Sequence, residues 1–250
     1  MRIYQMKNYD EMSRKAADLI AAQVIMKPDA VLGLATGSTP LGAYRLLIER
    51  YQKNELDFSE ICSVNLDEYM GLSAANAQSY AYFMRSNFFD SINILPENTH
   101  IPNGLEEDTV LECDRYERVI GALGGIDLQI LGIGGNGHIG FNEPGDAFVP
   151  ETHCVELAAS TIQANARFFS SRGEVPTAAY TMGIRSILQA KNIVLMASGK
   201  AKAKALCRAL RGPITPALPA SVLQLHGNLS VVADEEALSD IKAASADKLP

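Results

Sequence analysis

AVLGLATGSTPLGAYRLLIERYQ, residues 30–52, reads as a complete strand–turn–helix unit. Residues 30–36 form a short apolar run without period-2 alternation, which suits a strand covered on both faces. Gly37 permits tight or positive-φ backbone, and Pro40 suits a helix's first turn, where its missing N–H is not needed. Residues 40–52 then alternate as an amphipathic helix does. The same grammar recurs along the chain. ICSVNL (61–66), DLQILGIG (127–134), NIVLMAS (192–198) and LSVVAD (229–234) read as further strands. SYAYFMRSNFF (79–89), DTVLECDRYERVIGAL (108–123) and GKAKAKALCRAL (199–210) read as helices, and a last helix follows residue 234. Asp10 is placed to cap a first helix running to about Gln23, so the sheet is expected to begin near residue 30. TAAYTMG (177–183) fits either a strand or a loop.

This alternation predicts an α/β fold: a single doubly wound, mostly parallel sheet with helices on both faces, Rossmann-like in architecture. A chain of 250 residues fits one domain spanning 1–250, and AASADKLP (243–250) reads as a frayed polar tail. Net charge is −7, so no basic face advertises nucleic acid as a partner. No apolar run approaches the roughly 20 residues that span a bilayer, and MRIYQMKNYDEMSRK has no apolar leader core. Four cysteines (Cys62, Cys113, Cys154, Cys207) form no CxxC pair and fit reduced thiols in the cytoplasm.

Functional residues in such folds sit beyond the carboxyl ends of strands. Gly37, Ser38 and Thr39 lie at one such end. Free N–H groups at a helix start attract an anion, and the hydroxyls add donors. Ser and Thr also cap helices everywhere, so the segment alone fits an anion loop or an ordinary capping turn. Gly132 to Gly137 matches GxGxxG after a strand, but the chain continues His138-Ile139-Gly140-Phe141-Asn142-Glu143-Pro144-Gly145. Two more glycines and a proline argue against the helix that a dinucleotide site needs. The run reads instead as a backbone-lined pocket floor.

His138 lies inside that loop, with Glu143 five residues on. Histidine is the side chain best poised to move protons near neutral pH, and a carboxylate can orient it. Asp67, with Glu68, follows a strand directly and is placed for general-base work or, more plainly, as a turn or cap residue. The other histidines (His100, His153, His226) are scattered and HExxH spacing is missing, so no metal is expected. Arg167 and Lys200 are candidate phosphate cations, Lys200 because it opens a helix after a strand. Lys202 and Lys204 read as solvated surface.

Together, LATGSTP (34–40), NLDEYMGL (65–72), QSYAYFM (78–84), GNGHIGFNEPG (135–145), ARFF (166–169), ASGKAKA (197–203) and SVLQLH (221–226) resemble the glucosamine-6-phosphate deaminase family, within the 6-phosphogluconolactonase-like superfamily. The resemblance runs nearly the length of the chain. It implies conversion of glucosamine 6-phosphate to fructose 6-phosphate and ammonia in amino-sugar (N-acetylglucosamine) catabolism, with no cofactor. It implies that Asp67 moves a proton between C2 and C1, that His138 assists ring opening, and that Glu143 is its carboxylate partner. Residues 36–39, Arg167 and Lys200 match phosphate contacts. Asn136 stands where many relatives carry aspartate; its amide can orient His138 but supplies no charge. Allosteric relatives carry a basic cluster after FNEP at subunit contacts, whereas residues 146–155 here hold no Lys or Arg. No such activation is expected, and a monomer or small homo-oligomer is expected over a hexamer. Two rivals share the architecture. A 6-phosphogluconolactonase would carry GHxASLFP in place of GHIGFNEP and leave LDEY unexplained. A sugar-phosphate-sensing regulator domain would tolerate loss of Asp67, His138 and Glu143, and a sheet beginning near residue 30 leaves little room for its DNA-binding extension.

Overall fold

The computed structural model describes residues 1–157 and 175–246. The chain opens with β1 (Arg2–Met6), α1 (Tyr9–Met26), β2 (Val31–Leu34), α2 (Leu41–Gln52) and β3 (Cys62–Asn65). A short strand, β4 (Asp67–Tyr69), precedes α3 (Tyr80–Asn87), β5 (Thr99–His100), α4 (Thr109–Ala122) and β6 (Leu128–Gly132). Then come β7 (His153–Glu156), β8 (Ala178–Thr181), α5 (Ile184–Leu188), β9 (Asn192–Ala197), α6 (Ala203–Arg211), β10 (Leu229–Asp234) and α7 (Ser239–Ala246).

Seven strands form an all-parallel sheet in the order β1-β10-β9-β6-β2-β3-β5. Its apolar strands serve two cores, because neighbouring side chains point to opposite faces. Leu32, Leu34, Ile130, Val194 and Met196 pack on one face with residues of α1, α2 and α3. Val31, Leu131, Ile193, Leu195 and Val231 pack on the other with residues of α4, α5, α6 and α7. That double burial is why these strands lack a polar-alternating pattern. From β2 the chain steps outward through β3 to β5, then returns to β6 and steps the other way through β9 and β10. The direction reverses between β2 and β6, which is where a doubly wound sheet opens a crevice at its carboxyl edge.

Four details differ from the sequence expectations. The sheet begins at residue 2, not near residue 30: β1 adds to the edge of β10 in register from Arg2↔Ser230 to Met6↔Asp234. The first helix is capped by Asn8, whose side chain accepts from Glu11 N–H at 3.0 Å, and Asp10 lies within the helix. A second, antiparallel sheet, β4-β8-β7, stands beside the main one, so residues 177–183 contribute a strand. The last helix runs through Ala246, into the stretch expected to fray, and residues 247–250 lie outside the described residues. Among the described residues no helix is long and apolar enough to cross a membrane.

Candidate active site

A cleft of about 260 Å³ opens at the reversal between β2 and β6. Its wall on the β2 side is the loop holding Thr36, Gly37 and Thr39; its other wall is the loop from Gly132 to Phe141. Asp67 and Tyr80 complete it, together with Lys202. Ser38 lines an adjoining cavity that shares Thr39 and Lys202 with the cleft. The loop enters α2 through Pro40, the N-cap, and Gly37 takes φ +89°, a conformation that favours glycine.

β4 delivers Asp67. Its pairing with β8 sets Asp67 opposite Thr181, leaving the carboxyl only 7% exposed. Burial, helped by neighbouring Glu68, pushes it up to about 8. Burial also pushes Glu68 up, to about 7, against the pull of three backbone N–H donors. Those donors are specific: Glu68 Oε1 accepts from Tyr69 and Tyr80, and Oε2 from Ala81, each at 2.8 Å. Glu68 is therefore engaged at the start of α3, and Asp67 is the carboxyl that lines the cleft. Tyr80, at the first position of α3, stacks on Phe141 at 6.0 Å between ring centroids.

The glycine-rich run does not open a helix. It folds back on itself, with Gly134 N–H donating to His138 O at 2.9 Å and Gly137 N–H to Gly134 O at 3.0 Å. A Cβ on Gly134 would stand 2.4 Å from the His138 ring, so glycine is what lets the imidazole lie against this turn. Gly140, at φ +58°, brings the same loop beside Asp67: its Cβ would stand 3.6 Å from Asp67 Oδ2. His138 Nδ1 lies 3.1 Å from Glu143 Oε1. Asn136 acts on both partners without touching the ring. Its amide donates to Glu143 Oε2 at 2.6 Å, and its Oδ1 accepts from the His138 backbone N–H at 3.2 Å. The expected orienting role of this amide thus reaches the imidazole through Glu143 and the main chain. The cluster therefore holds an imidazole–carboxylate pair on one wall and a protonatable buried carboxyl at the base, which suits proton transfers to opposite parts of one bound molecule.

The candidate phosphate cations divide. Arg167 lies outside the described residues. Lys200 does not line the cleft: its ammonium is held by Ser239 Oγ at 2.7 Å and Asp240 Oδ1 at 3.0 Å, and its side chain is 68% exposed. Lys202, read from sequence as solvated surface, is the lysine at the cleft, and burial lowers its pKa. The cause is the turn after β9. Gly199 adopts φ +86°, with its N–H held by Asp234, and a 3-10 turn over Lys200–Lys202 follows. Two residues of tight turn exchange which lysine faces inward. The KAK run itself carries no signal of that exchange; the glycine before it is the one hint.

Known proteins align with this arrangement. A family model described as glucosamine-6-phosphate isomerases/6-phosphogluconolactonase matches residues 7–231. A glucosamine-6-phosphate deaminase of Lachnoclostridium phytofermentans is 59% identical over 232 residues, covering 93% of this chain and 98% of its own. One of Clostridioides difficile is 56% identical over 241 residues, covering 96% and 97%. A solved monomeric glucosamine-6-phosphate deaminase superposes with a TM-score of 0.92 at 49% identity, covering 96% of this chain and all of that one (100%). A 6-phosphogluconolactonase from Trypanosoma brucei shares the fold, with a TM-score of 0.76 at 17% identity over 96% of this chain and 98% of its own. Matched over residues 7–231 and 59% identical to a deaminase relative over nearly its whole length, this chain belongs to the glucosamine-6-phosphate isomerase/6-phosphogluconolactonase family.

Proposed function

We propose that this chain is a glucosamine-6-phosphate deaminase, converting glucosamine 6-phosphate and water to fructose 6-phosphate and ammonia. The observation that carries the reading is Asp67: a carboxyl buried at the cleft base, with its pKa raised to about 8, facing a cleft whose wall holds His138, with Glu143 Oε1 3.1 Å from the imidazole Nδ1. Abstraction of a C–H proton needs a base stronger than an ordinary carboxylate, and burial supplies that strength. The deaminase relatives, at 59% and 56% identity, support the same reaction over lactone hydrolysis, which needs no carbon acid.

His138, oriented by Glu143, protonates the ring oxygen as the C1 hydroxyl loses its proton, and the sugar opens to an aldehyde. Ionised Asp67 then takes the C2 proton, leaving an enol that carries the amino group, and returns a proton to C1. The double bond moves to C2 and nitrogen. Water adds to C2, nitrogen accepts a proton, and ammonia leaves as the C2 ketone forms. Each positioned proton transfer is typically worth about 10²–10⁴-fold. Gly37, Ser38 and Thr39 hold the phosphate with backbone and hydroxyl donors, and Lys202 adds the charge; Arg167 joins them by family resemblance. Anchoring the phosphate away from C1 and C2 keeps the reacting carbons in register with Asp67. The enzyme works as one domain in the cytoplasm, a reading supported by four unpaired cysteines.

Ammonia release from glucosamine 6-phosphate tests the reading, with Asp67→Asn alongside. Release by the native protein and a loss of about 10³-fold in the variant is the expected result. Equal release from both removes Asp67 from its role, and none from a folded native protein sinks the deaminase reading.

A further inference from the structure

We infer that Tyr9 is a positioning residue for the phosphate loop; the inference rests on the reading that this loop holds the substrate's phosphate. Tyr9 opens α1 and lies outside the reaction cleft, lining the neighbouring cavity with Ser38, Thr39 and Lys202. Its hydroxyl donates to Ser38 O at 2.8 Å and accepts from Gly42 N–H at 2.9 Å.

The two bonds do different work. The second satisfies one of the first-turn N–H groups of α2, which have no partner within the helix. The first fixes a peptide plane. The peptide joining Ser38 to Thr39 is trans, so the Ser38 carbonyl and the Thr39 N–H point in opposite directions. With the carbonyl drawn onto Tyr9, the Thr39 N–H is aimed away from α1. Were the plane to turn over, an anion would meet a carbonyl lone pair where a donor had stood.

The loop is built so that such a turn is easy. Gly37 has φ +89°, with nothing within 4 Å of where its Cβ would be, and both Gly37 and Ser38 are exposed. Its base is held separately: Tyr44 Oη donates to Ala35 O at 2.7 Å and accepts from Ala35 N–H at 3.3 Å. Tyr9 holds the far side. It reaches the loop because Gly42 lets α1 lie against α2: a Cβ there would stand 2.3 Å from Ser13 Oγ and 3.0 Å from Tyr9 Cε1.

Tyr9→Phe keeps the ring and removes both hydrogen bonds. Three readouts separate positioning from general support: kcat and KM for glucosamine 6-phosphate, the calorimetric Kd of inorganic phosphate, and the thermal unfolding midpoint. KM and the phosphate Kd are expected to rise together by about five- to tenfold, the range of one lost hydrogen bond, with kcat within about twofold. A phosphate Kd within about twofold of native overturns the inference, as does a kcat that falls as far as KM rises. If the native protein releases no ammonia, the deaminase reading fails, and the phosphate titration still decides the role of Tyr9.

Discussion

A carboxyl that burial holds near 8 is more stable folded when it carries its proton, and Asp67 is such a group. In the unfolded chain it titrates near its ordinary 3.8. Between those two values the folded protein keeps a proton that the unfolded chain has lost. Stability from this group is therefore complete below about 4 and falls as pH rises towards about 8. The base needed for catalysis exists only at the upper end of that window, so activity and stability pull in opposite directions at one residue. Asp67→Asn is expected to match the native protein near pH 4 and to exceed it by on the order of 2–4 kcal/mol at pH 8.5, measured by urea unfolding. Glu68, pushed up in the same direction, leaves part of the slope in place. Parallel stability curves for the two proteins would show that Asp67 is ionised without penalty. Asp67, His138 and Glu143 were legible in the sequence because their types and their places after strands coincide. Lys202 was not, since a side chain's inward direction depends on the turn that Gly199 starts and Asp234 holds, 35 residues away.

The buried strands were legible one by one, since apolar cover on both faces writes itself into residues such as Ile193 to Ala197. The strands that the sequence hid are those fixed by pairing alone. β1 is largely exposed and gains its place only against β10. β4 spells Asp-Glu-Tyr, and two acids disfavour a strand until β8 pairs with it. Yet β4 is the element that joins the site together. Its Glu68 takes the N–H groups of Tyr80 and Ala81 at the start of α3, while Ser79 takes that of Tyr82. Those are the first-turn donors a helix cannot satisfy internally. The strand carrying Asp67 is thereby tied to the helix carrying Tyr80. Glu68→Gln puts an amide NH₂ against one of these donors and is expected to lower unfolding free energy by about 1–3 kcal/mol near pH 4, a loss that shrinks as pH rises towards about 7 because the amide avoids ionisation of the buried carboxyl. It also removes the neighbour that raises Asp67, so the acid limb of kcat/KM moves to lower pH. An unchanged limb alongside an intact fold would mean that Glu68 acts as a helix cap alone.

The reversal of strand order between β2 and β6 gathers a loop from each half of one chain at one crevice. Cooperative kinetics need sites coupled through an interface whose two states bind substrate differently. The stretch 146–155, where allosteric relatives carry their basic cluster, contains Glu151 and Asp146 and no Lys or Arg. An acetylated sugar phosphate would meet no Lys or Arg from that stretch, and the one Arg paired to it among the described residues, Arg185, is already engaged by Glu151. Rate against glucosamine 6-phosphate is therefore expected to be hyperbolic, with a Hill coefficient of about 1. N-acetylglucosamine 6-phosphate is expected to leave that curve unshifted, and sedimentation equilibrium to return the 27.0 kDa of one chain. A sigmoidal curve that the acetylated sugar straightens would place an effector site outside residues 146–155 and bring an interface with it, since a lone cleft has nothing to be coupled to.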